Sequence, residues 1–146
     1  MTGIYDPKTY KPRESVGFLM QRARVQILDD LDRELEPLGI TAAQYIILVR
    51  LSEGGVGSAT GLCSGGYDPG AMTRMIDRLE KKGLVRRVRR ADDRRKVDVE
   101  LTAEGKAVRP KLIAAVVKVL NHRLRGFTKT EVHQLADFLR RMIVEE

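Results

Sequence analysis

The chain has 146 residues, 42% hydrophobic and 32% charged, and its 27 Lys and Arg against 20 Asp and Glu leave a net charge of +7. These proportions suit one globular domain and exclude a disordered chain. No apolar run nears the roughly 18 to 20 residues of a spanning helix, and Met1 to Pro12 lacks the apolar stretch of a signal peptide. The single cysteine, Cys63, excludes an internal disulfide, so the expected setting is a reducing one, the cytoplasm, with no membrane partner.

From Glu14 to about Glu36, Val16, Leu19, Met20, Ala23, Ile27, Leu31 and Leu35 recur at the spacing of a helix that buries one stripe. Pro37, Leu38 and Gly39 stop it. Thr41-Ala42-Ala43-Gln44 has capping-box form and opens a second helix, apolar on most sides through Tyr45, Ile46, Ile47, Leu48, Val49 and Leu51, and so expected to be central. Gly54-Gly55-Val56-Gly57 reads as a loose connection, after which Ser58 is placed to cap a short third helix ending near Cys63. Gly65-Gly66-Tyr67 makes a turn. Asp68 caps a fourth helix with Pro69 at its first position, where a missing amide hydrogen costs nothing. Met72, Met75, Ile76 and Leu79 share one face of it; Gly70, Thr73, Arg74, Asp77 and Arg78 lie largely on the other. Lys81-Lys82-Gly83 supplies a cationic last turn and a left-handed stop.

Leu84 to Arg90 and Val97 to Leu101 alternate as two strands around a charged loop. Thr102 caps a long fifth helix with Val108, Leu112, Ala115, Val119 and Leu124 on its stripe, ended by Gly126. Thr128-Lys129-Thr130-Glu131 is a second capping box and opens a sixth helix carrying Val132, Leu135, Ala136, Leu139, Met142 and Ile143. The expected fold is mainly α with a small β-wing, a winged helix-turn-helix with helices at both ends. The first, fifth and sixth helices carry more apolar surface than a winged helix needs, which points to a two-fold homodimer; a thicker single core is the other reading.

The charge is concentrated. Between Asp68 and Lys96 stand 11 Lys and Arg against 5 Asp and Glu, six of the seven net positive charges of the chain. A helix followed by a basic hairpin can set one element in a groove and the other along phosphates, where released counterions supply most of the affinity. The segment therefore reads as a surface for double-stranded DNA.

The residues resemble a known group. Gly70-Ala71-Met72-Thr73-Arg74-Met75-Ile76-Asp77-Arg78-Leu79-Glu80-Lys81-Lys82-Gly83-Leu84-Val85, then Asp92-Asp93-Arg94-Arg95 and Leu101-Thr102-Ala103-Glu104-Gly105, are similar to the MarR family of transcriptional regulators. The resemblance runs from Val16 to Ile143. It implies a homodimeric regulator, usually a repressor, that binds a pseudo-palindromic operator and often releases it on binding a small aromatic acid. Residues 41–101 would form the DNA-binding region, and 1–40 with 102–146 the helical dimerisation region. Gly61-Leu62-Cys63-Ser64-Gly65-Gly66 departs from the Ala- and Leu-rich helix usual before the turn; each glycine costs up to about 1 kcal/mol inside a helix, so a short third helix is expected.

Resemblance and helix geometry together place Pro69, Gly70, Ala71, Thr73, Arg74 and Arg78 toward the major groove. Arg74 is the expected base reader, because its fork matches the two acceptors of guanine. On the wing, Arg95 is expected in the minor groove, flanked by Arg94 and Lys96, with Asp92 or Asp93 bracing the loop by pairing with Arg94. The plainer reading of both elements is a solvated charged face. Arg86, Arg87, Arg89 and Arg90 alternate along a strand and cannot all point at DNA.

A pocket for a small aromatic carboxylate would lie where the first, second and fifth helices meet the winged region. Arg13, Ser15, Arg24 and Tyr45 would meet the carboxylate and ring, with Phe18, Ile46 and Val49 as apolar walls; an ordinary core and surface without a ligand is the other reading. Cys63 reads as an inert small hydrophobe, the alternative being a redox-responsive regulator. His122 and His133 lack partners at metal spacing, so no metal and no resident cofactor are expected. There is no Ser-His-Asp or Cys-His set and no phosphate-cradling Gly-x-x-x-x-Gly-Lys, which argues against an enzyme. A constitutive or architectural DNA-binding protein without effector remains the alternative to a ligand-released regulator.

Overall fold

The computed structural model describes residues 3–54, 56–62 and 68–143. Its helices are α1 (Val16–Leu35), α2 (Ala42–Gly54), α3 (Ala59–Leu62), α4 (Pro69–Lys81), α5 (Ala103–Arg123) and α6 (Lys129–Met142); its strands are β1 (Val56–Ser58), β2 (Val85–Arg89) and β3 (Val97–Leu101). The architecture is mainly α-helical with a small wing and flanking helices, the winged helix-turn-helix arrangement expected from the sequence.

Local signals set most boundaries. α1 starts two residues later than its apolar pattern suggests, because Glu14 belongs to a 3-10 turn and the Ser15 hydroxyl accepts from the amide of Phe18. At α2 the box is closed in both directions: Gln44 N–H donates to Thr41 Oγ1 at 3.1 Å and Thr41 N–H to Gln44 Oε1 at 3.2 Å. Thr128 and Glu131 close the same motif at α6. After α4, the amide of Gly83 donates to Glu80 O and that of Leu84 to Leu79 O, a paired closure that requires the left-handed φ of +74° at Gly83.

The structure adds a strand. Val56 and Gly57, read from the sequence as part of a loose connection, and Ser58, read as a helix cap, pair antiparallel with Asp98–Glu100, so the sheet has three strands in the order β1-β3-β2. The segment has too few residues and too much glycine to show a period; its partner lies some forty residues on. β2 pairs with β3 in the register Val85↔Leu101 to Arg89↔Val97, the expected hairpin. α3 is a single turn, Ala59–Leu62, within the described residues. Cys63 and the turn at Gly65, Gly66 and Tyr67 lie outside the described residues.

One core holds the winged unit to the inner halves of α1 and α5. Leu31 and Leu35 of α1, Ile47, Leu48 and Leu51 of α2, Met72, Ile76 and Leu79 of α4, Val85, Val99 and Leu101 of the sheet, and Leu112, Ala115 and Val119 of α5 are buried together. α1 and α5 run antiparallel, tied by Lys118–Glu34 at 2.6 Å and Arg123–Asp30 at 2.5 Å. The Arg123 guanidinium, through its hydrogen bond and its charge, holds the Asp30 carboxyl below its ordinary range. α6 has no fully buried side chain, and Val16, Leu19 and Met20 of α1 are exposed. No described helix is long and apolar enough to cross a membrane.

Candidate nucleic-acid interface

α4 is amphipathic in the way a recognition helix must be. Met72, Ile76 and Leu79 are buried and Met75 is half-buried, so packing presents Pro69, Gly70, Thr73, Arg74, Asp77 and Arg78 outward; Ala71 lies at the edge, half-buried. The Asp68 carboxylate accepts from the amide of Ala71 at 3.0 Å and fixes the first turn. Thr73 donates its hydroxyl to Pro69 O at 3.0 Å, which leaves the oxygen's lone pairs available. Arg74 runs back toward the N-terminus, its Nη1 3.5 Å from where a Cβ on Gly70 would lie, the direction helical side chains favour. Its guanidinium has no partner among the described residues.

The wing loop is built from its acids, by a route that corrects the expected pairing with Arg94. Asp93 Oδ1 accepts from the backbone amide of Arg95 at 3.0 Å, and Asp93 O accepts from that of Lys96 at 3.0 Å. Asp92 faces Arg90 at 3.4 Å. A carboxylate two residues before an amide makes a local turn at little entropic cost, whereas a pair with the long Arg94 side chain must immobilise it. Arg94, Arg95 and Lys96 are exposed and without an ion-pair partner among the described residues.

The strand arginines are mostly occupied. Arg86 pairs with Glu100 directly across the hairpin, and Arg90 also reaches Asp98 at 3.6 Å. These two acids lie just past Lys96, beyond the basic segment, and neutralise part of it. Arg87 turns to α4, with Nη2 at 2.6 Å from Asp77 and Nη1 at 2.9 Å from Glu80. Asp77 and Glu80 on the flank of a cationic helix were the visible sign that a strand arginine needed partners. Arg89 remains exposed and without an ion-pair partner among the described residues. Lys82, also counted among the basic residues, donates to Gly39 O and to Gln44 Oε1, joining the end of α4 to the start of α2.

Within one chain the residues proposed for an effector fall into two groups. Arg13 and Ser15 sit at the start of α1 with Phe18 and Arg24 on its outer half, and the Ser15 hydroxyl is used in capping, also donating to Pro12 O at 2.7 Å. Tyr45, Ile46 and Val49 are half-buried on α2, which begins beside Asp32, whose carboxylate accepts from Ala42 N–H at 2.6 Å. Ser15 and Asp32 are about 25 Å apart along the helix axis. Burial, reinforced by Glu53, pushes the Tyr45 hydroxyl up. Two surface concavities, of about 210 Å³ beside Tyr5 and Tyr10 and about 520 Å³ between α1 and α5 beside His122, are lined by other residues.

An outward cationic helix, a hairpin beside it and a buried helical scaffold define a winged helix-turn-helix DNA-binding protein. Residues 40–97 match the MarR family. The multiple antibiotic resistance protein MarR of Escherichia coli is 35% identical over 115 residues, 77% of this chain and 80% of its own. A mutant of that protein complexed with operator DNA aligns with a TM-score of 0.79 at 30% identity, covering 88% of this chain and 94% of that one. The transcriptional repressor MdtR of Bacillus subtilis is 29% identical over 123 residues, 84% of this chain and 77% of its own. Bordetella bronchiseptica BpsR, whose DNA binding is regulated by 6-hydroxynicotinic acid, aligns with a TM-score of 0.81 at 25% identity over 94% of this chain and 99% of that one. The chain belongs to the MarR family of DNA-binding transcriptional regulators, which are not enzymes.

Proposed function

We propose that this sequence-specific DNA-binding regulator acts as a homodimeric repressor that a small aromatic carboxylate releases from a pseudo-palindromic operator. The observation that carries the DNA reading is the face of α4, where Arg74 and Arg78 stand exposed opposite buried Met72, Ile76 and Leu79, beside a wing tip of exposed cations. In this reading Pro69, Gly70, Ala71, Thr73, Arg74 and Arg78 meet the major groove. Arg94, Arg95 and Lys96 serve the minor groove and its phosphates. Residues 41–101 read DNA, and 1–40 with 102–146 dimerise. Repression accords with MdtR being a transcriptional repressor, and an aromatic acid with the regulation of BpsR by 6-hydroxynicotinic acid.

The effector residues support a dimer-dependent pocket. Arg13, Ser15 and Phe18 lie at the end of α1 away from Asp32, where α2 begins, so a ligand touching them together with Tyr45, Ile46 and Val49 would need a partner copy to complete its pocket. An effector acts only by binding one arrangement of the dimer better than the other. The polar junction of Asp32, Gly39, Gln44 and Lys82 is where such a change would pass from α1 to α4.

The test is a mobility-shift assay on DNA upstream of the gene, repeated with benzoate, hydroxybenzoates and 6-hydroxynicotinate. Release by one of these acids, but not by acetate, is expected. Binding indifferent to all of them would leave a constitutive DNA binder. Arg74→Ala is expected to lower operator affinity by about 1 to 3 kcal/mol while barely changing affinity for unrelated DNA. Equal losses on both would make Arg74 a phosphate contact instead.

A further inference from the structure

Three hydrogen bonds from one residue span the gap between the recognition helix and the wing. Arg87 gives its backbone amide to Glu80 Oε2 at 3.1 Å, Nη1 to Glu80 Oε1 at 2.9 Å and Nη2 to Asp77 Oδ1 at 2.6 Å. Among the described residues no other side-chain bond joins α4 to β2 or β3. Its side chain is 30% exposed, against 66% for neighbouring Arg86. A guanidinium gripped by two carboxylates holds its direction better than a single surface pair, because its planar fork is fixed at both ends.

We infer that Arg87 is a positioning residue for operator recognition, setting the angle between α4 and the wing so that both reach their grooves in register. The inference rests on the DNA contacts proposed above. Arg87 lies about 10 Å of strand before Arg90, and the loop extends beyond that. A tilt of about 5° at the clasp therefore moves the loop cations by about 1 Å. Its charge is met inside the protein, so Arg87 differs in kind from Arg94 or Arg95: it directs cations without being one that releases counterions.

The test compares Arg87→Gln, Asp77→Asn and their double variant with the full-length wild type. Operator and unrelated duplexes are titrated across a range of salt, and hydrogen exchange is followed at 90–96 without DNA. Arg87→Gln is expected to weaken operator binding by about tenfold, with affinity for unrelated DNA and the salt slope unchanged. The double variant should lose little more than either single one, because both remove the same clasp. Exchange at 90–96 should rise while the melting temperature holds. A salt slope smaller by about 0.9 would make Arg87 a phosphate contact and overturn the inference. Unchanged operator affinity, or operator and unrelated DNA weakening together with a fall in melting temperature, would also overturn it. Failure of the DNA reading itself shows separately, as a wild type with no preference for operator; the exchange at 90–96 then still decides whether the clasp holds the wing.

Discussion

At the scale of single residues, Gly105 shows why a short motif is kept together. A Cβ there would lie 2.0 Å from Leu84 O, far inside contact distance, and the obstacle is backbone that cannot rotate away. The close approach serves two bonds, Thr102 N–H to Leu84 O at 3.0 Å and Thr102 Oγ1 to Gly83 O at 2.5 Å, which tie the start of α5 to the turn after α4. Gly105→Ala gains up to about 1 kcal/mol of helix propensity but must push α5 off Leu84. A net loss of about 1 to 3 kcal/mol is expected, read as a drop of several degrees in melting temperature. An unchanged or higher melting temperature would mean that α5 yields freely. The spacing of Leu101, Thr102 and Gly105 was visible in the sequence; the reason for the glycine was not, because Leu84 approaches from another element.

At the scale of elements, what could be read in the sequence was what is local. The boxes at Thr41 and Thr128, the Asp68 cap and the stop at Gly83 each depend on residues within four positions, and each formed as the pattern predicted. β1 escaped notice because Val56, Gly57 and Ser58 become a strand only through β3. Likewise the partners of Arg86, Arg87 and Arg90 depend on hairpin register and on the turn after α4. Two carboxylates, one in a local cap and one in a long-range pair, give these elements a pH dependence. Hydrogen bonding by Arg123 lowers Asp30, and the amide of Thr128 lowers Glu131, so both titrate below their unfolded values. A depressed folded pKa stabilises above the unfolded value, about 4, and that contribution is lost as pH falls through the folded one. Melting temperature should therefore fall more steeply below about pH 4 for the wild type than for Asp30→Asn. Parallel curves would show that the Asp30–Arg123 pair does not contribute.

At the scale of the molecule, the question is what covers the outer helices. Phe138 is 57% and Ile143 67% exposed, and Leu19, Leu135 and Met142 lie bare as well, all on α1, α6 or the residue that ends α6. A helix whose apolar side chains are at best half-buried gains little from its own hydrogen bonds in water, so α6 gains from a further surface to pack on. In the homodimer proposed above, a second copy would offer the same stripes in reverse order, and two-fold symmetry would close the contact without leaving a free face. Phe138→Asp combined with Leu19→Asp should therefore give a monomer by light scattering. The winged unit should survive, because neither side chain enters the buried core. Operator affinity should then fall by about 10²- to 10⁴-fold, the effective concentration lost when two half-sites are no longer bound by one linked pair. Affinity for an isolated half-site should change little. A variant that stays dimeric, or one that is monomeric yet holds full operator affinity, would show that the outer helices do not join two DNA-reading units.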